Sequence, residues 1–189
     1  MPFFIEIDHL QEKYGCEVYL ETGLYKYSEK VSLYKALRCN FEHVYSIELE
    51  KKWIDYAYPF IKDEIESGKC ILIHDDSANL GKYILPDKNF EKKTFFFLDA
   101  HVDNSNIKTP HQYKCPVLSE LRAIKELARN DHVICIDDMR IIKTAFPWGD
   151  RQTTNYFNDI EKLLYDINPS YNIEYLNGVI DNDILIAHV

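Results

Sequence analysis

The chain has 189 residues, 46% of them apolar and 14% aromatic, enough to fill one hydrophobic core and too apolar for a linker or a disordered tail. Lys and Arg total 22 against 31 Asp and Glu, and the resulting charge of −9 argues against a nucleic-acid backbone as the main partner. The cysteines, Cys16, Cys39, Cys70, Cys115 and Cys135, are odd in number, scattered and without a C-x-x-C spacing, which points to reduced, structural thiols.

Residues 1–10 carry Glu6 and Asp8 inside an apolar stretch with no basic flank, unlike a signal peptide or an anchor. No apolar run approaches the roughly 18 to 20 residues of a membrane span, so a soluble, cytoplasmic protein with no membrane partner is expected. The first β-rich run, 16–20, leads into Glu21-Thr22-Gly23 and a helix over 29–38. A strand over 43–47 ends at Glu48 and is followed by a helix over 50–66. Strands over 70–74 and 94–98 end at Asp75-Asp76-Ser77 and Asp99-Ala100-His101.

Pro116 is preset for the first turn of a helix over 118–129, where Leu121, Ile124, Lys125 and Ala128 form a core-facing stripe with Lys125 at its edge. A strand over 132–136 ends at Asp137-Asp138, and a helix over 155–167 stops at Asn168-Pro169. Two last strands, 171–176 and 183–189, are connected through Asn177-Gly178, which favours a turn back and antiparallel pairing. Strands alternating with helices predict an α/β, Rossmann-like, doubly wound sheet of seven strands, mostly parallel with an antiparallel C-terminal hairpin, in a single domain over 1–189. The irregular stretches 102–115 and 140–154 follow the fourth and fifth strands and would overhang a site at the strands' carboxyl ends.

Acidic residues at successive strand ends suit a nucleoside-carrying ligand stretched across the sheet edge. Gly23 allows close backbone approach, Glu48 can accept hydrogen bonds from both ribose hydroxyls, and Asp76, beside Ser77, can accept from the amino group of an adenine. A single acidic residue after a strand is more often a solvated turn; it is their order and spacing together that point to a ligand. Asp99, Asp137 and Asp138 end neighbouring strands, and three converging carboxylates call for a hard divalent cation, Mg²⁺ first; the alternative is local capping and turn hydrogen bonds. His101 is a general-base candidate near that cation or a hydrogen-bonded loop histidine, with Asp103 in reserve. Arg140, Lys143, Trp148 and Arg151 offer a ring face with donors for a sugar, or a surface lid. The remaining histidines show no ligand spacing, and the tyrosines form no stacking platform.

On Glu21-Thr22-Gly23, Ser46-Ile47-Glu48, Asp75-Asp76-Ser77, Asp99-Ala100-His101 and Asp137-Asp138, the chain resembles the class I S-adenosylmethionine (SAM)-dependent methyltransferases over nearly its full length. The resemblance implies that Glu21, Thr22 and Gly23 hold the methionine end of SAM, Glu48 the ribose, and Asp76 and Ser77 the adenine. The Asp99 and Asp137-Asp138 placement is similar to that of metal-dependent, macrocin-type sugar O-methyltransferases, which implies Mg²⁺ on these three residues and a sugar or glycoside acceptor. The compact length also resembles small glycan methyltransferases of large DNA viruses, which would act in host cytoplasm. One departure is that Tyr25 and Tyr27 stand where the usual first loop has further glycines. The function that follows is SAM-dependent, Mg²⁺-assisted O-methylation of a sugar hydroxyl. The alternatives are a metal-independent small-molecule methyltransferase and a non-catalytic Rossmann-like binding subunit.

Overall fold

The computed structural model describes residues 5–27, 32–101, 115–143 and 156–189. Seven strands, β1 (Val18–Thr22), β2 (His43–Glu48), β3 (Cys70–His74), β4 (Thr94–Leu98), β5 (Val133–Ile136), β6 (Asn172–Leu176) and β7 (Ile184–His188), form one sheet in the order β3-β2-β1-β4-β5-β7-β6. The pairs from β3 to β5 are parallel, and β7 runs antiparallel to both β5 and β6. Helices are α1 (Ile7–Tyr14), α2 (Ser32–Ala36), α3 (Lys51–Ala57), α4 (Lys62–Glu66), α5 (Gly81–Ile84), α6 (Val117–Lys125), α7 (Met139–Ile142) and α8 (Tyr156–Ile167). The seven-stranded, mostly parallel sheet with antiparallel C-terminal pairing is the architecture that the sequence pattern predicts.

Continuous apolar runs such as Thr94-Phe95-Phe96-Phe97-Leu98 form the central strands because both faces of a parallel sheet are covered. Alternate side chains go to opposite layers. Val18, Leu20, Phe96 and Leu98 pack with Leu121 of α6 and Leu164 of α8. Tyr19, Phe95 and Phe97 pack with Ile7 of α1, Leu33 of α2 and Ile61 on the other face. No helix among the described residues is long and apolar enough to cross a membrane, and no disulfide links the cysteines. Burial pushes the Cys16 and Cys70 thiols up to about 12.

Several boundaries depart from the sequence expectation. β1 starts and ends two residues later than 16–20, because its neighbours carry it to Thr22, which lies beside Ile47 and Leu98. Pro59 divides the helix expected over 50–66 into α3, a 3₁₀ turn at Tyr58–Phe60 and α4, since proline lacks the N–H that a continuous helix needs. α6 stops at Lys125, so Ala128 is exposed and Leu127 packs against the core instead. α1 adds an element beyond those expected, and Gly15 terminates it at φ +66°.

The turn after β1 lies directly against the turn after β4. Gly23 has φ +86°, and a Cβ built there would sit 2.5 Å from the Asp99 carbonyl oxygen and 3.1 Å from Ala100 Cα. Gly23→Ala therefore combines left-handed strain with a backbone clash that no side-chain rotation relieves, and should cost about 3 kcal/mol or more. Urea unfolding measures this; stability equal to the parent's would mean that the two turns can separate freely.

Candidate functional site

The sheet order reverses between β1 and β4, which brings the carboxyl ends of β1 to β5 to a common crevice. Thr22 ties the two central turns together: the Asp99 N–H donates to the Thr22 carbonyl at 3.1 Å and approaches its Oγ1 at 3.3 Å. The Gly23 N–H donates to the Ile47 carbonyl at 2.8 Å. Glu21 points to the opposite face of β1 and is fully buried. Its carboxylate accepts from Tyr19 Oη at 3.1 Å, Ser46 Oγ at 2.8 Å and the Ser32 hydroxyl. Burial pushes its carboxyl up to about 7 against those hydrogen bonds. Glu21 thus pins α2 and β2 to β1 beneath the first loop.

Glu48 ends β2 and is 7% exposed. One oxygen accepts the Tyr25 N–H at 2.8 Å and the other the Glu50 N–H at 2.7 Å. Burial raises its pKa while the two amides oppose the rise. Tyr25, at φ +50°, holds the left-handed conformation usual for glycine, and its ring meets that of Trp53 at 4.8 Å between centroids. Tyr27 is buried and stacks on Phe60, so the two tyrosines that replace glycines do different things.

After β3, Asp76 Oδ1 accepts the Ala78 N–H at 2.9 Å and caps a 3₁₀ turn, Ser77–Asn79. Asp76 Oδ2 is buried with no hydrogen-bond partner among the described residues. Asp75 is structural instead. Burial would raise its pKa, but Tyr83, Asn79, the Asp76 N–H and Lys82 pull it to about 2.

Sequence reasoning missed Glu120. It is 1% exposed on α6, and burial pushes its carboxyl up to about 7. The signal was present: Val117, Glu120, Leu121 and Ile124 share the spacing of one helix face, which puts an acid inside an apolar stripe.

Across the crevice, His101 Nε2 meets Asp138 and its Nδ1 lies 3.5 Å from Asp99 Oδ1. Asp137 Oδ1 accepts the Asp138 N–H at 2.7 Å, which helps hold Asp138 at φ +57°. Among the described residues, two groups have carboxylate or imidazole atoms within 4.8 Å of one another: Asp99, His101 and Asp138, and Asp137, Asp138 and Asp183. Asp183, fully buried before β7, is a second residue that sequence reasoning missed. The Arg140 guanidinium pairs with both Asp138 and Asp183, and Lys143 lies over the Tyr175 ring at 4.1 Å. Asp103, Trp148 and Arg151 lie outside the described residues.

The charges compete visibly. Burial pushes Asp99 well above the usual carboxylate range, with Asp137 and Asp138 adding to the rise and His101 opposing it. Burial likewise takes Asp137 to about 6. Burial would raise Asp138 too, but His101 and Arg140 outweigh it and hold it low. Burial would lower the His101 pKa, yet the Asp138 hydrogen bond and the surrounding carboxylates raise it.

The same architecture occurs in solved structures. The O-methyltransferase TomG from Streptomyces achromogenes, involved in tomaymycin synthesis and solved in complex with SAM, superposes with a TM-score of 0.62 at 12% identity, covering 97% of this chain and 77% of its own. The O-methyltransferase from Bacillus cereus in complex with SAH (S-adenosylhomocysteine) gives 0.59 at 15% identity over 97% and 79%. The chain has the Rossmann-like methyltransferase fold. A candidate caffeoyl-CoA O-methyltransferase from Staphylococcus aureus gives 0.58 at 18% identity over 99% of this chain and 85% of its own. No family model matches the chain. Dynein heavy chain-like protein 2 of Plasmodium falciparum aligns at 24% identity over 147 residues, and the match spans 3% of that protein's length.

Glu21 makes the methyltransferase fold's first turn sensitive to pH. Its carboxyl rises from 4.5 unfolded to about 7 folded, so the folded state binds the extra proton and Glu21's own contribution to stability is greatest below pH 4.5. About 3 kcal/mol is lost as pH climbs from 4.5 through 7. Glu21→Gln should remove that part of the decline. Urea titrations across this window check it, and a decline equal to the parent's would show that Glu21 titrates normally.

Proposed function

We propose that the chain is a SAM-dependent O-methyltransferase that acts on a hydroxyl of a sugar or glycan, assisted by a divalent cation, Mg²⁺ first. The observation that carries the reading is the division of polar groups at the switch in strand order. Glu48 and Asp76 lie on one side, while Asp99, His101, Asp137 and Asp138 lie on the other. The orphaned Asp76 Oδ2 fits an amino group as a donor, and a carboxylate such as Glu48 can accept more than the two amides it already holds. Burial raises the Asp99 and Asp137 pKa values first and the neighbouring Asp138 adds to both, and a hard cation held by Asp99, Asp137 and Asp138 would favour their charged forms.

SAM supplies an electrophilic methyl group on a sulfonium, and a bound divalent cation supplies Lewis acidity that lowers the pKa of an acceptor hydroxyl. The chain's own residues do the rest. Asp138 accepts from His101 Nε2, fixing the tautomer that leaves Nδ1, on the Asp99 side, to take the hydroxyl proton. This requires a neutral imidazole; the neighbouring carboxylates raise the His101 pKa, and a cation would offset their charge. Glu48, through the Tyr25 N–H, sets the first loop over the ribose position, and Gly23 keeps the methionine end close to β4.

One observation favours a second reading, metal-independent methylation. Asp138 already meets the Arg140 guanidinium and the His101 imidazole, so part of the acidic charge is answered from within.

Calorimetry with SAM and SAH, followed by labelled-methyl transfer to a panel of nucleotide sugars and glycosides, tests the reading; absence of cofactor binding would overturn it. Glu48→Ala should weaken SAM binding by about 10- to 100-fold, through lost ribose hydrogen bonds and a released Tyr25 loop. Unchanged affinity would remove Glu48 from the site. Asp138→Asn keeps the left-handed backbone, which asparagine tolerates, and should abolish turnover while SAM still binds. Chelator should do the same to the parent, and full activity in a chelated sample would favour the metal-independent reading.

A further inference from the structure

Asp138 belongs to both acidic groups at the carboxyl end of β5, one with Asp99 and His101 and the other with Asp137 and Asp183. Two cation positions side by side would make a two-metal centre. Among the described residues, the two groups differ in what already faces them. The Arg140 guanidinium pairs with Asp138 and with Asp183, so a permanent positive charge bridges the second group. On the Asp99 side the neighbour is His101, whose imidazole can be neutral.

Asp183 fixes that guanidinium from several directions and is fully buried just before β7. Its Oδ1 accepts the Arg140 N–H at 3.0 Å and its carbonyl oxygen accepts the Met139 N–H at 2.7 Å, which ties it to the start of α7. Its Oδ2 accepts the Val179 N–H at 3.0 Å and meets the guanidinium. A Cβ built on Gly178 would lie 3.0 Å from Oδ2, so the turn before β7 closes on the carboxylate as well. Both side-chain oxygens of Asp183 therefore serve donors of the chain itself, and the arginine that they orient is delivered to Asp138.

We propose that Arg140 is the resident cation of the Asp137, Asp138 and Asp183 group and bars a divalent ion from it, which confines such an ion to the Asp99 side. Asp183 is the positioning residue for Arg140. The proposal rests on the cation-assisted reading above. The chemistry of that reading asks for a single ion: methyl transfer turns the sulfonium of SAM into a neutral thioether, so the leaving group develops no negative charge for a second ion to stabilise.

Mn²⁺ titrations of the full chain, by calorimetry and by the electron paramagnetic resonance signal of free Mn²⁺, count the ions. The parent should bind about one Mn²⁺ per chain, Arg140→Gln about two, and Arg140→Lys, which keeps the charge, about one. Asp183→Asn in the Arg140→Gln background should remove the added ion. An Arg140→Gln count equal to or below the parent's, or a parent that takes two, overturns the proposal; a merely loosened site would lose Mn²⁺ and not gain it. SAH binding measured beside these titrations separates the two readings. A parent that binds SAH but no Mn²⁺ overturns the cation-assisted reading, and the proposal then stands if Arg140→Gln gains an ion and falls if it does not. Removing one partner of a buried ion pair is destabilising. A variant that folds only with Mn²⁺ supports the proposal, because the ion has replaced the guanidinium. If it does not fold even then, the parent's own count decides, about one supporting the proposal and about two overturning it.

Discussion

Gly23 allows the turn after β1 to lie against the carbonyl of Asp99, and the rest of the site takes its spacing from that contact. With the two turns touching, Thr22 can receive the Asp99 N–H. β1 and β4 are the strands at which the order reverses, so a displacement there would move both halves of the crevice at once. A two-faced apolar sheet makes the contact rigid, because Leu20, Phe96 and Leu98 are locked beneath it by α6 and α8.

Above this frame the dominant physical feature is an excess of buried acid. Glu21 is held by three hydroxyl donors, yet burial lifts both it and Glu120 to about 7. Asp138 and Asp183 instead share Arg140. Asp99 and Asp137 have neither solution in full, and their carboxyls rise accordingly. Hydroxyl-bonded acids hold elements together, whereas acids with excess charge are suited to an external cation.

The first loop shows how a backbone requirement can be met without glycine. Tyr25 adopts φ +50°, and its N–H is held by Glu48 while its ring rests on Trp53. The cost of that conformation, of order 1–3 kcal/mol, is offset by a charge-assisted hydrogen bond and an aromatic contact. The ribose candidate and the loop's conformation are therefore one mechanical unit.

The sequence by itself determined the class of fold and the row of polar strand ends. Continuous runs such as 94–98 can be satisfied only by a sheet covered on both faces, and Asn177-Gly178 marks the return that pairs β6 with β7. Glu48, Asp76, Asp99 and Asp137-Asp138 were legible because a short polar group after an apolar run has to lie at a strand's end. Tertiary structure decided the rest. The end of β1 at Thr22 comes from pairing with β2 and β4, which no local pattern records. Glu120 and Asp183 became site residues only when α6 and β7 packed beside strands distant in the chain, and Arg140 became a resident counter-ion by the same packing. Periodicity fixes which face a side chain takes, but which charges meet across elements depends on long-range contacts that a one-dimensional pattern does not contain.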